Sequence, residues 1–176
     1  YISLNKEYLE KAGHEVTIFT FGDLDYADDE ARVVRSPGLP LTDTGYYLSF
    51  RYSRQAKALL QTMDLVHVQH PFLSGRLSLN YCRPVRIPIV FTNHTRYDLY
   101  AQAYLPLLPE EFSDTFLQTY MPPFCQAVDL VISPSAGMGE ILKKLGVSSP
   151  IEIIPNGVEL QLYQGPFEDC RKSFGF

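Results

Sequence analysis

Asn93, His94, Thr95, Arg96, Tyr97 and Asp98 form one unbroken polar run, directly after the apolar and β-branched stretch Ile89 to Thr92. A neutral imidazole at such a place can position a hydroxyl or accept its proton, because histidine changes charge near pH 7. His94 is therefore the first candidate for chemistry; the plainer reading is a strand-end histidine satisfied by backbone groups. Arg96 and Asp98 could bind a phosphate and a hydroxyl, or pair with each other across a turn. His70 ends a second apolar run, Asp64 to His70, and parallel strands would bring it to the same sheet edge as His94. A structural role beside Pro71 is the competing account. Ser133 and Ser135 precede a helical pattern whose N-terminus can hold an anion through its backbone N–H groups, although capping alone explains both serines. Asn156-Gly157 reads in isolation as a turn.

Several other chemistries lack their signatures. There is no GxSxG and no Walker lysine motif, so hydrolase and kinase readings have nothing to stand on. The four histidines show no HxxxH pairing, and no metal ligand set is expected. GxGxxG is absent, and the first βα turn of a dinucleotide fold would precede Tyr1. The cysteines Cys82, Cys125 and Cys170 lie far apart with no CxxC, which reads as core or incidental thiols in a cytosolic setting. A formal net charge of -5 argues against nucleic acid as a partner, since that needs a concentrated basic face. No run approaches the roughly 20 apolar residues of a membrane span.

The elements that must carry these residues follow from periodicity and punctuation. Of 176 residues, 45% are hydrophobic and 20% charged, an ordinary globular balance with room for one well-buried domain. Tyr1 to Ala12 predicts a helix, with Glu7 and Lys11 as an i,i+4 pair and Gly13 as its stop. Strands are expected at Val16–Thr20, Arg32–Arg35, Asp64–His70, Pro88–Thr92, Asp129–Ser133 and Ile151–Pro155. Helices are expected over Tyr47–Met63, Phe72–Tyr81 and Glu110–Tyr120, the last kinked or ended by Pro122-Pro123. A further helix should start at Ser133-Pro134, with the serine as cap and the proline in the first helical position. Arg51, Arg54 and Lys57 lie mostly off the apolar face of their helix, as a solvated face or as a basic edge facing phosphate. The repeating β/α order predicts an α/β fold, a right-handed, doubly wound parallel sheet with sites at the carboxyl ends of its strands.

Five of these stretches together resemble a known family. Glu10 to Thr17 is similar to the helix–GHEV–strand opening of group 1 (family 4) retaining glycosyltransferases. Asp64 to Pro71 resembles their DxVHxHxP strand, and Phe91 to Thr95 their HT segment. Val131 to Ser135 and Ile153 to Glu159 resemble the two elements that close their first lobe. The resemblance covers nearly the whole chain in the family's order. It implies the two-lobed GT-B architecture, with residues 1–160 as most of the N-terminal, acceptor-side Rossmann-like lobe and 161–176 as linker or the start of a second lobe. It implies transfer of a hexose, with retention, from a UDP- or GDP-linked donor to an acceptor hydroxyl, with no tightly held metal or cofactor.

By the same resemblance His94 lies in the cleft beside sugar and acceptor. Arg96, Tyr97, Asp98 and His70 form the acceptor side, and Ser135, Asn156 and Gly157 lie toward the donor. Arg35 to Leu41 and His94 to Tyr100 are further similar to stretches of diacylglycerol glucosyltransferases, which implies a lipid or carbohydrate acceptor and peripheral contact at the inner face of the membrane. The Gly-rich loop near the donor phosphates would precede Tyr1 and the second lobe would follow Phe176, so these residues alone are expected not to turn over. Two other readings compete. A non-catalytic Rossmann-like module would bind a sugar or nucleotide without transfer, and a GT-B-fold epimerase would need further cleft carboxylates.

Overall fold

The computed structural model describes residues 1–40, 47–97, 99 and 110–160, without the side chains of 110–114. They fall into two units, Tyr1–His14 with the segment from Asn156, and Glu15–Pro155. In the first, helix α1 spans Ile2–Lys11 and carries the expected Lys11–Glu7 ion pair at 2.6 Å, with Lys6–Glu10 beside it at 3.2 Å. Gly13 takes φ +93°, and the next N–H, of His14, bonds back to the Leu9 carbonyl. A side chain is disfavoured in that conformation, and this is why the helix stops there.

The second unit is organised by a parallel four-stranded sheet in the order β5 (Val66–Val68), β6 (Ile89–Thr92), β7 (Leu130–Ser133), β8 (Ile151–Ile153). The central strands β6 and β7 are apolar, β-branched-rich runs closed by polar turns, the pattern of strands covered by crossover helices, while β5 and β8 each carry one polar residue, His67 and Glu152. A parallel pair, β1 (Ile18–Gly22) with β2 (Val33–Pro37), and a short antiparallel pair, β3 (Leu39–Pro40) with β4 (Tyr47–Leu48), complete the strands. The α/β class with its parallel sheet is therefore the architecture of this chain. No described helix is long and apolar enough to cross a membrane.

Register decides which side chains share a face. Val66, Ile89, Phe91 and Val131 align on one face and are buried. Helix α3 (Leu73–Cys82) and helix α4 (Glu110–Ala127) cover it. The Phe124 ring of α4 stands edge-on to Phe91 at 5.1 Å, and Gly75 of α3 lies against Phe124. Helix α5 (Ala136–Lys144) covers the β7–β8 end of the same face, where Gly139 approaches Ile151 and Ile153. His67, Val90 and Leu130 align on the opposite face and are only half-buried.

Strands β1, β2 and β5 differ from the sequence expectation by one to two residues at an end, and three helix boundaries differ for identifiable reasons. Tyr47–Leu48 is strand β4, and helix α2 spans only Arg54–Leu60. Ser53 is its N-cap: its hydroxyl accepts the Ala56 N–H at 3.0 Å, while its own N–H bonds Ser36 Oγ. The apolar spacing continued upstream of the cap, and that misplaced the start. Helix α4 runs through Pro122-Pro123 to Ala127. Two prolines remove the donors for the Gln118 and Thr119 carbonyls, but Leu117, Met121, Phe124 and Cys125 are all buried on the sheet side. That burial outweighs the lost bonds. Ser133 ends β7 rather than opening α5, whose cap is Ser135 in an extended conformation. Ser133 Oγ instead donates to the Ser135 carbonyl at 2.9 Å and shapes the turn.

Candidate active site

His94 stands just beyond the carboxyl end of β6, half-buried. Asn93, between strand and histidine, donates its N–H to the Ile132 carbonyl at 3.0 Å and so extends the β6–β7 ladder by one bond. The backbone entering His94 is therefore held by the sheet. Burial lowers the His94 pKa below its ordinary value, which keeps the ring neutral at pH 7.

Two cross-strand contacts sit one above the other on this edge. His67 Nε2 lies 2.7 Å from Thr92 Oγ1, and His94 Nε2 lies 2.9 Å from Gln69 Oε1. Both span the same 25-residue separation, because the side chains alternate faces in step along β5 and β6. His67 is also held neutral, first by burial and then by the facing His94. The edge thus offers two neutral imidazoles, a threonine hydroxyl and an amide, groups that can hydrogen-bond hydroxyls. Among the described residues, no group of three or more histidines, cysteines or carboxylates could hold a metal ion.

The other expected residues take varied places. The His70 ring meets Phe72 at 5.2 Å and Tyr97 at 5.5 Å, both edge-on. Tyr97 is buried, and burial pushes its phenol up to about 12 against a smaller opposing pull from Thr95. Its hydroxyl and Asn93 Oδ1 are buried with no well-formed hydrogen bond among the described residues. Arg96 is half-buried, and its carbonyl accepts the Leu99 N–H at 3.0 Å. Asp98 lies outside the described residues. Ser135 Oγ accepts the Met138 N–H at 3.2 Å as the cap of α5. Asn156 and Gly157 belong to the unit that contains α1 and are exposed.

Gln69 is the residue the sequence reading passed over. In the DxVHxHxP pattern, with Asp64 first and Pro71 last, the second histidine falls at position 69, where this chain has glutamine; His70 is one place further on. Alternation turns His70 away from the face that Gln69 shares with His67. Counting residues from His67 by twos would have found it.

Residues 5–162 match the family model described as Glycosyltransferase Family 4. The chain is 30% identical over 166 residues to the alpha-monoglucosyldiacylglycerol synthase of Streptococcus pneumoniae, a match over 92% of this chain and 37% of that protein. It is 29% identical over 167 residues to the alpha-monoglucosyldiacylglycerol synthase of Acholeplasma laidlawii, covering 89% of this chain and 41% of that one. The chain therefore spans well under half the length of these two relatives. A family match over nearly its whole length, on a parallel sheet that places a neutral histidine at its carboxyl edge, leaves one assignment: the chain belongs to glycosyltransferase family 4.

Proposed function

We propose that this chain is the acceptor-side lobe of a retaining glycosyltransferase that moves a hexose from a nucleotide-sugar donor to the hydroxyl of a lipid such as diacylglycerol. The observation that carries the reading is the neutral His94 at the end of the central strand, in a chain similar to two glucosyldiacylglycerol synthases. His94 contacts the transferred sugar and orients the acceptor hydroxyl, so that the reacting oxygen is held near the anomeric carbon. Arg96, Tyr97, Asp98 and His70 border the acceptor. Ser135, Asn156 and Gly157 serve the donor side, with the α5 N-terminus favouring negative charge. The diphosphate leaving group needs donors beyond this lobe, supplied by the remainder of the full-length protein.

Contact with a membrane surface fits the same reading. Phe50 is 74% exposed and is followed by the exposed Arg51 and Arg54, an apolar tip with basic neighbours suited to an anionic lipid interface. Lys57 is engaged elsewhere, over the Tyr81 ring at 5.0 Å.

The test is product formation by the full-length protein with UDP-glucose and diacylglycerol-containing liposomes, read by mass spectrometry. A glycolipid product is expected. UDP release without glycolipid would move the acceptor to a soluble molecule, and no turnover with any nucleotide sugar would leave a binding module.

A further inference from the structure

We propose that Gln69 is a positioning residue for His94: its amide oxygen accepts the Nε2 proton of the neutral imidazole and so assigns the lone pair to Nδ1. The inference rests on the proposed role of His94 and extends it to a residue that role does not itself name. The 2.9 Å contact joins His94 Nε2 to Gln69 Oε1, and a carbonyl oxygen can only accept, so Nε2 is the protonated nitrogen of that tautomer. A neutral imidazole has one donor and one acceptor; fixing the first fixes the second.

The geometry makes this a rigid arrangement. Gln69 directly follows β5, whose residue Val68 pairs with Phe91 in the ladder, and His94 follows β6 by two residues. The contact below it, His67 to Thr92 at 2.7 Å, closes the same two strands one step nearer the core. A slip of β5 along β6 would break both contacts together, so the strand register holds Gln69 opposite His94. The titratable group that faces His94 across the sheet within this unit is His67, and Arg96 follows on its own segment. The Gln69 amide is uncharged, so this contact holds the ring without itself stabilising an imidazolium. A hydroxyl that meets Nδ1 donates into the lone pair, which is the orientation an attacking hydroxyl needs.

Three variants of the full-length protein test this. Gln69→Met keeps the length of the side chain and removes the acceptor. It should lower kcat roughly tenfold, the value of one hydrogen bond, with KM for the donor unchanged. Gln69→Glu keeps an acceptor and adds charge, which favours the imidazolium. It should retain most activity at alkaline pH while the acid limb of the kcat profile moves up by about one pH unit. Proton–nitrogen correlation NMR of histidine-labelled protein should show His94 protonated at Nε2 in the parent and mixed in Gln69→Met. His94→Ala is the reference. If it alone abolishes transfer while both Gln69 variants keep the parental rate and pH profile, the positioning role is overturned and the His94 assignment stands. If His94→Ala is itself silent, the assignment fails and this inference with it.

Discussion

Asp129 and Ile89 hold each other by two bonds across the base of the sheet. The Asp129 N–H reaches the Ile89 carbonyl at 2.8 Å, and Asp129 Oδ2 accepts the Ile89 N–H at 2.7 Å, forty residues away in sequence. The pair sets the register of β6 against β7 from below, and register decides which face every later residue takes, His94 included. Asp129→Ala should lower stability by about 1 kcal/mol, as expected for one lost hydrogen bond at a partly exposed position. Urea unfolding of the parent and the variant measures it.

Gly75 is where α3 can come close to both the turn after β5 and helix α4. A Cβ there would lie 2.8 Å from the His70 carbonyl oxygen and 2.8 Å from Phe124 Cζ. Alanine favours a helix interior by about 1 kcal/mol over glycine, yet Gly75→Ala should destabilise by about 2 kcal/mol because the crowding is against backbone and a packed ring. The midpoint of thermal unfolding should fall, and a rise would show that α3 can shift outward at no cost.

Strands were the legible part of this sequence because apolar runs such as Leu130 to Ile132 sit between sharp polar breaks. Helix ends were less so. Ser53 and Ser135 cap through hydroxyl contacts that apolar spacing does not register, and the burial that carries α4 past Pro122-Pro123 comes from partners distant in sequence. His94 was visible from its place after a strand. Gln69 was not, since a glutamine carries no chemical flag and its role exists only once β5 and β6 are paired.

Acid should destabilise this domain through its buried histidines. His67 and His94 both have folded-state pKa values below the unfolded value of about 6.5, chiefly through burial. As pH falls, the unfolded chain takes up protons first, so stability is whole above about pH 6.5 and declines as the pH drops through the folded values. Denaturation midpoints of the full-length protein should be flat from about pH 7 to 8 and fall below about 6.5, with a shallower fall in His67→Gln.

Ser135 separates two roles that coincide at one atom. Its hydroxyl already accepts the Met138 N–H, so Ser135→Ala should cost about 1 kcal/mol as a lost cap. If α5 also serves the donor, KM for the nucleotide sugar should rise with it, and Ser135→Thr should restore both. A stability loss with KM unchanged would confine Ser135 to capping.

The sheet order β5-β6-β7-β8 follows the order of the chain, each strand pairing with the one made just before it. Assembly can therefore proceed by accretion: each newly completed strand finds an existing edge, and its connecting helix covers the fresh surface before the next arrives. Loop closure is confined to one crossover at a time. On that route both halves of the His94 platform are in place once β6 has docked, and the chemical edge of this lobe precedes the strands that later extend the sheet.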